Sequence, residues 1–199
     1  MRLTLADYGV GNLHSIKKAL EKNGAAVTVV SDMEELLDAK CMVFPGVGAF
    51  DKTMERLLPY RERICERLGA GIPALGICIG TQILFGSSDE GESPGIGLFD
   101  GRAVKLPCRC TPHMGWNEVS TEDALMDGIT DRHFYFANSY YCAAEEPSDV
   151  IGTTEYEGFR FNSFFRKNNT YGMQFHPEKS GESGLGLLGN FIEFAEDMI

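Results

Sequence analysis

The chain has 199 residues, 43% of them hydrophobic and 24% charged, which supports a sizeable core and argues against disorder. A formal net charge of −11 argues against nucleic acid or an anionic membrane as partner; its simplest consequence is solubility. No uninterrupted apolar run approaches the ~20 residues of a membrane span, and the opening MRLTLADYG lacks a signal-peptide layout, so a cytoplasmic protein is expected.

LTLA (3–6) is a short apolar run that breaks at the turn-like DYGVGN. LHSIKKALEKNG (13–24) has helical spacing, with Leu13, Ile16 and Leu20 on one face and Gly24 as its stop. AVTVV (26–30) reads as a strand, and Ser31 followed by Glu34 as the capping box of a short helix. CMVF (41–44) is a buried strand ending at PGVG; a helix from about Phe50 to Leu68, the strand PALGI and a GTQILF helix follow. This alternation predicts an α/β fold: a mostly parallel sheet with helices on both faces and ligands at the carboxyl ends of the strands.

From about Gly91 the signals become short strands and turns: GLFDGRAVKL, WNEVS, HFYFANSYYCAA, VIGTTEYE, FNSFFRK, an Asn168-Asn169 turn and TYGMQF. Antiparallel strands extending the sheet are expected there, with SGLGLLGNFIEFAEDMI as a closing helix. No repeat or linker divides the chain, so one domain over residues 1–199 is expected.

The six cysteines are irregularly spaced and read as free thiols rather than a disulfide framework. Cys108 and Cys110, in PCRC, lack a second Cys/His pair at zinc-site spacing. Cys41, inside a predicted strand, reads as core. Cys78 differs. GICIG (76–80) joins a strand to a helix with a glycine two residues to either side of the thiol, the logic of a nucleophile elbow. Such a turn exposes the side chain at a helix N-terminus, where thiolate is favoured over thiol. The competing reading is a small buried hydrophobe, as most free cysteines are.

A thiol nucleophile needs a base that a third group orients. Of the four histidines, His14 and His133 read as solvated or capping and His113 is undecided. His176 closes YGMQF and precedes Pro177 and Glu178; in an extended HPE segment residues i and i+2 point the same way, so Glu178 reaches the imidazole. The oxyanion donors expected are the backbone N–H of Ile79, just after the nucleophile, and amides of the FPGVG loop (44–48).

LGICIGTQ with QFHPEKS resembles the Cys-His-Glu triad of class I glutamine amidotransferases. DYGVGNLHSIKKAL, FPGVGAF and PHMGWNEV narrow the resemblance to the branch of glutaminase subunits of imidazole glycerol phosphate synthases, from Leu5 to the last helix. The resemblance implies a class I glutamine amidotransferase-like (flavodoxin-like) fold and hydrolysis of glutamine by Cys78, His176 and Glu178. It places the oxyanion hole at Val47 and Ile79, the former after a peptide flip in PGVG. Gly48 and Gln82 match positions that hold the substrate's amino acid end, and Ser139 and Tyr140 the segment lining its pocket. No metal or organic cofactor is implied. A separate (β/α)8-barrel cyclase subunit is the implied partner, receiving the ammonia; Asn12, Trp116, Tyr135 and Lys179 fall in stretches that face it in relatives. Low activity alone, with Gly46-Val47-Gly48 as the switch, is expected.

Two positions depart from the family pattern: Asn138 where histidine is frequent, and Gly86 where an acidic residue is. They keep open a paralogue feeding a surface-sugar-modifying synthase. A non-catalytic module and a cysteine peptidase on the same fold are further readings, since fold alone does not fix function.

Overall fold

A computed structural model describes residues 1–9 and 12–199; Val10 and Gly11, within the predicted DYGVGN turn, lie outside the described residues. The first half runs β1 (Arg2–Ala6), α1 (Leu13–Lys22), β2 (Ala26–Val30), α2 (Met33–Leu37), β3 (Met42–Phe44), α3 (Phe50–Leu57), α4 (Arg61–Gly69) and β4 (Ala74–Ile77). Then come α5 (Ile79–Gln82), β5 (Phe85–Ser88), β6 (Phe99–Lys105), β7 (His113–Glu118), β8 (Ser120–Thr121) and β9 (His133–Asn138). β10 (Tyr140–Ala144), β11 (Val150–Tyr156), β12 (Phe159–Lys167), β13 (Thr170–Met173) and α6 (Gly181–Asp197) complete the chain.

Eight strands form the main sheet in the order β2-β1-β3-β4-β13-β12-β11-β8. From β2 to β13 neighbours pair parallel; from β13 to β8 they pair antiparallel. The predicted parallel sheet with an antiparallel extension is therefore present. Its central strands are buried on both faces, as parallel sheets require. In β3, Met42 and Phe44 enter one hydrophobic cluster and Val43 the other; in β4, Ala74 joins the first and Leu75 and Ile77 the second. The first cluster includes residues of α2, α3 and α4, the second residues of α1 and α6.

The structure departs from the expectations in four places. β5, β6 and β10 form a separate three-stranded sheet, and β7 and β9 a two-stranded ribbon, instead of extending the main sheet. Burial explains the first of these: Phe85 and Phe99 stack at 5.1 Å and Phe85 meets Phe165 of the main sheet at 5.2 Å, so this layer buries a face rather than an edge. The helix expected over 50–68 breaks into α3, a 3₁₀ turn at Leu58–Tyr60 and α4, because Pro59 lacks an N–H and its ring clashes with the preceding turn. The expected GTQILF helix stops at Gln82, and Phe85 starts β5. Asp32, not Ser31, caps α2 by accepting from Glu34 N at 2.9 Å; Ser31 Oγ donates to Asp7 at 3.2 Å. The stop at Gly24 stands: its φ is +83° and its N–H donates to Glu21 O at 3.0 Å. Among the described residues no helix is long and apolar enough to cross a membrane.

Candidate active site

Parallel pairing brings the carboxyl ends of β3, β4 and β13 to one edge. Phe44 pairs with Gly76 and Met173 with Ile77, so the PGVG loop, Cys78 and the QFHPE segment leave the sheet side by side. Cys78 N donates to Met173 O at 2.7 Å, and Cys78 itself has φ +50°, ψ −109°. A non-glycine residue at positive φ is strained and persists only where its surroundings impose it.

The flanking glycines show how. A Cβ on Gly76 would stand 2.7 Å from Gly80 O, and one on Gly80 would stand 2.0 Å from Phe44 O. Gly46 is equally hemmed in, with Ile77 O 2.3 Å from its would-be Cβ. The elbow and the PGVG loop touch backbone to backbone, and only glycine allows it. Thr81 Oγ1 ties α5 down, its single O–H shared between Gly76 O at 2.9 Å and Met173 O at 2.8 Å. α5 is a single four-residue turn, so the helix dipole expected from the sequence reduces to the free N–H groups of that turn.

His176 is fully buried, and its Nδ1 lies 2.8 Å from Glu178 Oε1. The i, i+2 contact is made, but across a 3₁₀ turn (Pro177–Lys179) rather than along a strand. His176 is pinned through its backbone: its N–H donates to Tyr135 O at 2.8 Å and its carbonyl accepts from Ser180 Oγ at 2.6 Å. Burial alone would lower the imidazole pKa; the charge of Cys78 as thiolate, with the hydrogen bond to Glu178 and its charge, outweighs burial and raises it to about 10. Nε2 makes no hydrogen bond among the described residues, so we attribute the influence of Cys78 to charge.

Cys78 opens onto a cavity of about 220 Å³. The PGVG loop (Gly46, Val47, Gly48), the elbow (Ile79, Gln82), Glu90 and the segment Ala137–Tyr140 line it. The expected oxyanion donors Val47 and Ile79 and the expected substrate-binding residues Gly48, Gln82, Ser139 and Tyr140 all border it. Tyr8, buried, anchors the PGVG loop through its phenol, which donates to Pro45 O.

Two residues of the site escaped the sequence reading. Glu90 borders the cavity, and its Oε2 accepts from Phe50 N at 2.9 Å; the acidic SSDEGE stretch after the elbow was its signal. Gln174 is fully buried and its Nε2 donates to Cys78 Sγ at 3.6 Å; the period-two rule applied to His176 and Glu178 also reaches back to it. His113, undecided from sequence, is a buried ring stacked on Tyr156 at 3.9 Å and Phe136 at 4.8 Å, its pKa lowered to about 4 by burial. His14 and His133 are exposed. All six cysteines are free, and Cys41 is fully buried as expected.

Of the residues expected to meet a partner, Trp116, Tyr135 and Lys179 lie together, and none of the four lines the cavity. Trp116 is 55% exposed and meets Tyr135 edge-on at 6.2 Å; Lys179 Nζ sits 5.8 Å over the Tyr135 ring. Exposed Asn12 also has an internal task, capping α1 by accepting from Ser15 N at 3.3 Å.

A cysteine on a glycine-framed elbow and a buried His-Glu pair leave neighbouring strands at one edge of the sheet, and the model of the family "Glutamine amidotransferase class-I" matches residues 4–194. Among solved structures, one described as a glutamine amidotransferase superposes with a TM-score of 0.77 at 18% identity, covering 97% of this chain and 98% of that one. PurLQS from Thermotoga maritima gives 0.73 at 18%, with the same coverage. These likenesses concern the fold. Closer in sequence are the imidazole glycerol phosphate synthase subunits HisH of Methanothermobacter thermautotrophicus and Nitrosomonas europaea, each 43% identical over 96% of this chain and 98% of theirs. That of Pyrococcus furiosus is 41% identical over 96% and 97%. The chain belongs to the class I glutamine amidotransferase family and, within it, to the HisH subunits of imidazole glycerol phosphate synthase.

Proposed function

We propose that the chain is the glutaminase subunit of an imidazole glycerol phosphate synthase, hydrolysing glutamine and handing ammonia to a separate (β/α)8-barrel cyclase in histidine biosynthesis, in the cytoplasm. The observation that carries the chemistry is the strained Cys78 elbow, which opens onto a cavity shared with the PGVG loop, with the His176–Glu178 pair leaving the neighbouring strand.

Glutamine enters with its carboxamide toward Cys78. Its α-ammonium needs acceptors, and Glu90 together with the Gln82 side-chain oxygen supplies them; Gly48, Ser139 and Tyr140 shape the rest of the cavity. The Cys78 thiolate attacks the carboxamide carbon, forming the C–S bond. Negative charge develops on oxygen, where the Ile79 N–H and, after reorientation of its peptide, the Val47 N–H receive it. The C–N bond breaks as His176 gives its proton to the departing nitrogen, so ammonia leaves and a γ-glutamyl thioester remains. Water then attacks the thioester, His176 takes its proton, and the C–S bond breaks to release glutamate and restore the thiolate. Glu178 holds the ring orientation and stabilises its charged form throughout. Gly46-Val47-Gly48 is the segment through which the cyclase turns the site on: glycines tolerate both peptide orientations, and Gly48 already has φ +147°.

The test is Cys78→Ala in the complex with the cyclase. Glutamine-dependent synthesis disappears while synthesis from added ammonium salts continues. Parallel loss of both rates would make the subunit's role structural.

A further inference from the structure

We infer that Gln174 is a further catalytic residue, donating a side-chain N–H to the sulfur of Cys78 and held in that pose by Gln82 from the substrate cavity. This rests on the reading of Cys78 as the nucleophile.

Gln174 follows β13 directly, two residues before His176, and its backbone N–H donates to Ser163 O at 2.9 Å. Its side chain has no solvent exposure. A primary amide at such a site costs free energy unless its polar atoms are used, whereas a leucine or methionine would carry no such cost. Here they are used in one direction: Nε2 donates to Cys78 Sγ at 3.6 Å, and Oε1 accepts from Gln82 Nε2 at 3.3 Å. Gln82 Nε2 also reaches Tyr140 O at 3.3 Å, and Asn138 Nδ2 donates to the same carbonyl at 2.9 Å. A chain of amides thus runs from Asn138 and Tyr140, which border the cavity, to the nucleophile.

The chemistry follows from what each state of sulfur accepts. A thiol or thioester sulfur is a weak acceptor and a thiolate a strong one. The Gln174 N–H therefore favours the charged sulfur before attack and again as the C–S bond breaks, when sulfur leaves as thiolate. It transfers no proton; His176 carries that task. Because Gln82 borders the cavity and holds Oε1 of Gln174, occupation of the cavity also steadies the donor on sulfur.

The experiment follows iodoacetamide alkylation of the Cys78 peptide against pH by mass spectrometry, in the full chain and in Gln174→Met and Gln174→Glu. The pH of half-maximal alkylation moves up by about one unit in Q174M, the equivalent of one hydrogen bond to a charged group. Q174E keeps the side-chain shape and the acceptor for Gln82 but sets a carboxylate against sulfur, and its profile moves further up. Should Q174M fail to fold, Q174E carries the test. A profile unchanged in either folded variant overturns the inference. Retention of glutamine-dependent synthesis by C78A alone would instead sink the glutaminase reading, since alkylation reports on sulfur whatever the reaction.

Discussion

At His176 two opposing effects meet. Burial disfavours the imidazolium, while the Cys78 thiolate and Glu178 favour it, and the charges win, raising its pKa to about 10. A histidine raised above its ordinary 6.5 contributes stability that is fully present below about pH 6.5 and lost as pH rises through about 10. Removing the thiolate in Cys78→Ala deletes one of the favourable charges, so the His176 titration midpoint, followed by ¹⁵N NMR of the ring, moves down from about 10. An unmoved midpoint would mean that Glu178 alone sustains the imidazolium. His113 shows the opposite regime: buried among aromatic rings with no anion beside it, it falls to about 4 and stays neutral at neutral pH. Sequence spacing left His113 open because nothing in CTPHMGW specifies which rings will close over it.

At the scale of elements, the elbow depends on glycines for space more than for torsion. Gly80 would bring a Cβ within 2.0 Å of Phe44 O, a backbone atom that cannot step aside. Gly24 has φ +83° but nothing within 4 Å. Gly80→Ala should therefore cost about 3 kcal/mol and Gly24→Ala about 1 kcal/mol, as read by urea unfolding. Equal costs would put torsion, not crowding, in control. The GxCxG pattern was legible because strand, turn and helix signals converge on it; that Phe44 O is the contacting atom was not, since it comes from another strand. The same distinction governs the misses. The break at Pro59 and the end of α5 are local events, one set by a single proline and the other by a turn of four residues. The three-stranded layer of β5, β6 and β10 depends on Phe85 and Phe99 finding Phe165, a long-range contact that period-two patterning does not encode.

Over the whole molecule, the cavity and the aromatic cluster are linked by β9. The carbonyl of Tyr135 receives the His176 N–H, and Asn138, at the strand's other end, borders the cavity. Trp116, 55% exposed beside Tyr135 and Lys179, with Met114 63% exposed two residues away, is the largest apolar side chain left uncovered on this face. Aromatic anchors of this kind dominate binding free energies. Trp116→Ala should weaken association with the cyclase by about 2 kcal/mol, about thirtyfold in Kd, with the chain's own melting temperature nearly unchanged. Undiminished affinity would place the docking surface elsewhere. The most direct measurement is glutamate release from glutamine by the purified chain, alone and then with the cyclase subunit of the same genome and that subunit's substrate, beside a Cys78→Ala control. Low release alone, strong stimulation by the liganded cyclase and none from the control is the predicted result. Release that persists in the control, or none under any condition from the intact chain, would contradict the account.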